Sequence, residues 1–167
     1  MNYADARPGI CSGDLLAWGH DAWRSWHDLE VQAVRFFTRS EYAHVAVAWV
    51  IGKRVLVIEA VVPQVRIFPL SKLLPCYWIS GEPRLSWTET IESKALELVG
   101  QPYSKREAIR TFFGKVVPGA NDQWQCAEVA ACIRGQLLTT EYMSPTPTTL
   151  VKETQRLPNA RMRYIEP

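Results

Sequence analysis

The sequence predicts an α+β fold, and three observations carry that expectation. Four β-rich runs follow one another between Ala43 and Ser80 with only short breaks. The first two are joined by Gly52-Lys53, which has the length and composition of a tight hairpin turn. After Trp87 the chain turns to helical patterns preceded by cap residues.

The elements follow in order. Gly13 to Trp18 reads as a short strand after a Gly-Asp turn, and the polar, Trp-rich stretch Gly19 to His27 reads as a loop. Asp28 can cap a helix to about Arg39, with Val31, Val34 and Phe37 on its apolar face. The β-runs are Ala43 to Ile51, Arg54 to Val62, Gln64 to Leu70 and Cys76 to Ser80, an antiparallel meander. Ser86-Trp87-Thr88-Glu89 has capping-box spacing before a helix carrying Ile91, Ala95, Leu98 and Val99, with Gly100 where it should stop. Ser104 to Glu107 repeats the pattern before a helix to about Phe113. Pro118 to Asp122 breaks the chain, and Asn121 or Asp122 can cap a helix from about Gln123 to Arg134, stopped by Gly135. Thr146-Pro147 opens a last helix to about Arg156, and a terminal strand runs near Arg161 to Ile165. Tryptophans 18, 23 and 26 could line a groove or simply anchor core and loop.

Composition bounds the rest. A chain of 167 residues, 47% hydrophobic and 22% charged, fits one domain spanning residues 1–167. A formal charge of +2 without long Lys/Arg blocks gives no reason to expect nucleic acid. The longest apolar stretch, Ala43 to Ile51, is about half of what a membrane-spanning helix requires, so no transmembrane segment is expected. The start, Met1 to Pro8, lacks the apolar region and cleavage site of a secretory signal, so the chain should remain cytoplasmic as synthesised unless exported by another route. Cys11, Cys76, Cys126 and Cys132 form no CxxC pair, so neither a zinc site nor a disulfide framework is signalled, and no metal or cofactor is expected.

Reactive chemistry is legible in the hairpin. With a two-residue turn at Gly52-Lys53, Ile51 pairs with Arg54, Ala46 lies opposite Glu59, and His44 lies opposite Val61. His44 and Glu59 are then diagonal neighbours on one face, with backbones roughly 7–8 Å apart. Ala46 and Ala48 share that face and leave room for an element to approach; the helix carrying Cys126, Ala127, Ala130 and Ala131 is the candidate. A thiol near a helix N-terminus is favoured as thiolate, and a neighbouring imidazolium favours it further. The alternatives are a buried small apolar cysteine, a satisfied strand histidine and a sheet-surface carboxylate.

Six segments bear jointly on the choice: Gly13-Asp14-Leu15-Leu16, Ser40 to Val47 around His44, Val57-Ile58-Glu59-Ala60, Gly100-Gln101-Pro102-Tyr103, Trp124 to Glu128 around Cys126, and Ser144-Pro145-Thr146-Pro147. In that order they resemble the YiiX/YebB-like hydrolases, the circularly permuted branch of the NlpC-type cysteine peptidases. The resemblance covers roughly residues 13 to 150. It implies a papain-like fold, a small antiparallel sheet or half-barrel with the cysteine helix packed on one face. It also implies a catalytic Cys126, His44 and Glu59, acting through a thioester on an amide bond in a peptide or a peptidoglycan fragment. A lipid substrate, for an acyltransferase or thioesterase of the same fold, is the alternative, as is a catalytically inactive binding module. Two departures touch substrate contacts: Cys-Ser-Glu appears as Cys126-Ala127-Glu128, and Tyr77-Trp78-Ile79 lacks an arginine. Tyr42, Tyr103 and Glu128 are further candidates for substrate or oxyanion contacts, against ordinary core or helix-packing roles.

Overall fold

The computed structural model describes residues 1–19, 41–103, 125–135 and 146–167. Among these, six strands form one antiparallel sheet: β1 (Leu15–Gly19), β2 (Tyr42–Ile51), β3 (Arg54–Ala60), β4 (Val65–Pro69), β5 (Cys76–Ser80) and β6 (Arg161–Ile165). Their spatial order is β4-β3-β2-β1-β5-β6. The four helices among the described residues are α1 (Tyr3–Ala6), α2 (Glu89–Leu98), α3 (Cys126–Arg134) and α4 (Pro147–Arg156). The fold is thus α+β, as the sequence predicts. The expected helices at 28–39 and 104–113, together with Trp23 and Trp26, lie outside the described residues.

Each face of the sheet carries its own core. On one, Leu15, Ala17, Val45, Val47, Ile58 and Ile79 pack against α2, α3 and α4 through Ile91, Ala127, Ala130, Ile133 and Leu150. On the other, Leu16, Ala46, Ala48, Val57 and Trp78 pack against Ala6 and Ile10 of the N-terminal segment. The alternation along β2 sorts its side chains between the two. Trp18 belongs to the second core, 2% exposed, with its Nε1–H donating to Leu73 O, so it anchors core and lines no groove.

The first hairpin has the expected register, Ile51 facing Arg54 and Val47 facing Ile58. Gly52 occupies the turn at φ +58°, a left-handed value that its missing Cβ makes inexpensive. Strands β5 and β6 begin and end where expected. Two helix starts differ. Thr88 rather than Ser86 caps α2, its hydroxyl accepting the Ile91 N–H. Helix α3 begins at Cys126 with Gln125 as N-cap, not at Gln123. Helix α3 ends at Arg134 with Gly135 as its C-cap, as expected, but Gly135 is right-handed at φ −53°, unlike the left-handed Gly100 at φ +89°.

Candidate functional site

The site lies where the central ladder opens. Pairing of β2 with β3 stops at Val47 and Ile58, although β2 extends back to Tyr42 and β3 continues to Ala60, still paired to β4. Ala48 N–H donates to Asp14 O on the β1 side at 2.9 Å. Successive N–H groups of a strand point to alternate neighbours, so the Val45 N–H points to the β3 side, into the opening. The Cys126 sulfur lies within reach of it, and the Val45 and Ala127 N–H groups both favour the thiolate there.

The approach of α3 corrects the sequence expectation. The helix does not pack on the Ala46/Ala48 face but on the opposite one, with Val45, Val47, Ile58 and Ala60. The small residues that permit close approach are those of the helix, Ala127 and Ala130, both at most 1% exposed. The space over Ala46 and Ala48 is taken by Trp18, Trp78 and the N-terminal segment. His44 and Glu59 stand on that second face, and the opening between the strands lets a thiol from the first face meet an imidazole from the second.

The three side chains form a chain of contacts. His44 Nε2 lies 2.9 Å from Glu59 Oε2, and the same ring interacts with the Cys126 thiol, for which Nδ1 is the nitrogen that Glu59 does not use. The His44 ring also leans on Trp18, with centroids 5.3 Å apart. Glu59 is 1% exposed. Its second oxygen, Oε1, accepts from Arg66 Nε at 2.9 Å and lies 2.7 Å from Nη2 in an ion pair.

The electrostatics follow from these contacts. Burial by itself pulls the His44 pKa down, but its bonds to Cys126 and Glu59 outweigh burial and raise it from 6.5 to about 9. Burial pushes Cys126 up; the hydrogen bond and charge of His44, then the Val45 and Ala127 N–H groups, outweigh it and lower the thiol below its ordinary value. Glu59 is raised by burial and lowered more strongly by His44 and Arg66, so the net direction is down. A thiolate, an imidazolium and a carboxylate are the mutually stabilised forms. By contrast, burial pushes the Cys76 thiol up to about 12.

The other candidates are placed as follows. Tyr42 donates its hydroxyl to Met162 Sδ at 3.4 Å and meets Tyr77 edge-on, toward β5 and β6. Tyr103 is half-buried beside the helix core; burial first, then the charges of Cys126 and Glu128, raise its pKa. Glu128 closes the start of α3: its Oε2 accepts the Gln125 N–H at 3.0 Å and its Oε1 the Gln125 side-chain amide at 3.4 Å. Arg66 is the residue that the sequence reading missed. The register of the second hairpin, Ala60 facing Val65 and Glu59 facing Arg66, would have revealed it as an opposite-charge pair across two strands.

The fold and the Cys-His-Glu cluster together define an α+β protein with a thiol at a helix start set against a sheet histidine. No family model and no curated protein matches the sequence. Among solved structures, the chain is similar to the metalloprotein YiiX of Escherichia coli O157:H7 (DUF1105), with a TM-score of 0.55 and 20% identity over 93% of this chain and 88% of that one. The chain therefore has a YiiX-like fold. Among the described residues no three His, Cys, Asp or Glu side chains come together to hold a metal ion. Both Glu59 oxygens and His44 Nε2 are already engaged, so the cluster does not fit a metal. No helix among the described residues is long and apolar enough to cross a membrane.

Proposed function

We propose that the protein is a cysteine hydrolase with a papain-like, permuted NlpC-type arrangement, cleaving an amide bond in a peptide, with peptidoglycan stem peptides as the favoured source. The observation that carries this reading is the His44 ring held by Glu59 at 2.9 Å on Nε2 and coupled to the Cys126 thiol. The Cys126 thiolate attacks the carbonyl carbon, and the carbonyl electrons move to oxygen. The Cys126 N–H, first in α3 and without an intrahelical acceptor, is a donor available to that oxyanion. His44 gives its Nδ1 proton to the leaving amine, which departs and leaves a thioester. The neutral ring then takes a proton from water, hydroxide attacks the thioester, and the thiolate is released as the acid forms. Glu59 keeps Nε2 protonated throughout and balances the imidazolium charge.

Incubation with peptidoglycan fragments and, separately, with lipid esters, followed by mass spectrometry, tests the reading. Cleaved stem-peptide amides and an acyl adduct on Cys126 are expected, both lost in Cys126→Ala. Undiminished turnover by that variant would overturn the nucleophile, and release of fatty acid alone would reassign the substrate to an acyl ester.

A further inference from the structure

The carboxylate of Glu59 is divided between two cations on neighbouring strands, and the second serves no purpose in the scheme above. Oε2 faces His44 from β2, and Oε1 faces Arg66 from β4. Both guanidinium contacts, Nε at 2.9 Å and Nη2 at 2.7 Å, converge on the one oxygen that His44 does not use. Arg66 is itself held: its guanidinium carbon sits 4.5 Å from the centre of the Phe68 ring. Its side chain is 42% exposed whereas that of Glu59 is 1% exposed, so the arginine bridges a buried carboxylate to solvent.

We infer that Arg66 is a positioning residue for the Cys126-His44-Glu59 site, fixing the Glu59 carboxylate so that Oε2 is presented to the His44 ring and keeping it ionised in a place where burial favours the acid. This rests on the proposed hydrolase reading. Two physical steps support it. A glutamate has three side-chain torsions, and one hydrogen bond to an imidazole leaves its carboxyl plane free to turn; a second anchor on the other oxygen removes that freedom. A carboxylate shared between two cations is also a weak base, so the Nε2 proton stays on the ring rather than passing to Glu59, and the ring remains poised at Nδ1. The charged or titratable groups around this chain are His44 and Arg66 on Glu59, Cys126 and Glu59 on His44, and His44 and Tyr103 near Cys126. A bridge serving only to tie β3 to β4 would stabilise the hairpin without reaching the thiol.

The test needs no substrate. The rate of Cys126 alkylation by iodoacetamide, followed by peptide mass spectrometry across pH, is compared in the parent, Arg66→Met, Arg66→Lys, Glu59→Gln and the Glu59→Gln/Arg66→Met double variant. Methionine keeps length and apolar contact with Phe68 and removes the charge. Arg66→Met should move the acid limb of the profile upward by about half a pH unit or more, because loss of the cation makes Glu59 more basic and the thiolate less favoured. Arg66→Lys should recover part of the shift, and in the Glu59→Gln background Arg66→Met should add little. A parent-like limb in folded Arg66→Met, with only its thermal midpoint lowered, would assign the bridge a structural role and overturn the inference. If instead Glu59→Gln itself left the profile unchanged, the triad would fail first.

Discussion

Glu59→Gln replaces a carboxylate, which accepts at both ends, by an amide, which accepts at one and donates at the other. Both neighbours of Glu59 approach as donors, His44 through Nε2–H and Arg66 through Nε and Nη2, so one of them must face the new NH2 group. If the amide oxygen stays with Arg66, the ring is driven to the tautomer with Nε2 bare and Nδ1 protonated, and it cannot take the thiol proton. If the oxygen stays with His44, the tautomer survives but the imidazolium loses its counter-charge. Either way hydrolysis should fall by roughly 10²–10⁴-fold. One charge-assisted hydrogen bond is worth about 1.5–3 kcal/mol, and the Arg66 arm, 42% exposed, adds no more than about 1 kcal/mol. For a chain of this size, at about 2–4 °C per kcal/mol, the variant should melt about 3–16 °C below the parent. A partly solvated carboxylate could be replaced at little cost, but Glu59 is 1% exposed, so the loss should be measurable. The pH dependence has a definite sign. The folded pKa of Glu59 lies below its unfolded value of 4.5, so its contribution is complete above 4.5 and disappears as pH falls through the folded value. The melting gap between parent and variant should therefore be full near neutrality and close in acid. Parent-like melting and turnover at neutral pH would refute the reasoning.

Cys126 should alkylate faster than Cys11, Cys76 and Cys132 and remain reactive well below the ordinary thiol range, whereas hydrolysis, which needs the ring proton, should decline above about pH 9; pH profiles of alkylation and turnover separate the two limbs, and Cys76, pushed to about 12, should be the slowest. Gly13→Ala should destabilise by about 1–3 kcal/mol in urea denaturation, since Gly13 sits at φ +90° and an added Cβ would lie 2.7 Å from Leu85 Cβ.

The hairpin was legible because a two-residue turn leaves no freedom of register: once Gly52-Lys53 is placed, His44 and Glu59 must share a face, and they lie 2.9 Å apart. Strands β5 and β6 were legible as short β-rich runs set off by breaks in the chain. The face chosen by α3 was not. Small side chains on β2 correctly signalled a close approach, but a sequence does not say which neighbour takes the space, and two tryptophans from β1 and β5 filled it. Arg66 is legible only when the register is carried across the second hairpin as well, where it faces Glu59. The capping pattern around Ser86 misled because Thr88, two residues on, offers the same hydroxyl nearer to the first free N–H groups.

The opening between β2 and β3 carries its own energetic signature. Val45 N–H, turned toward β3 where the ladder has stopped, favours the Cys126 thiolate, so the proposed nucleophile also offers an acceptor to the backbone of the strand behind it. Cys126→Ala removes that acceptor along with the partner of the His44 ring; Cys126→Ser keeps an oxygen at nearly the same place, though a hydroxyl does not ionise as the thiol does and cannot serve as the nucleophile here. Both variants should be inactive with the fold retained, yet the serine protein should be the more stable by about 1 kcal/mol, the net worth of a hydrogen bond to an otherwise unmatched N–H. Amide exchange at Val45 gives the sharper reading: protection should persist in Cys126→Ser and fall in Cys126→Ala, while Ala48, bonded to Asp14 on the β1 side, changes in neither. Equal protection of Val45 in the two variants would mean that the strand closes without the thiol, and that the opening is not where the site draws its geometry.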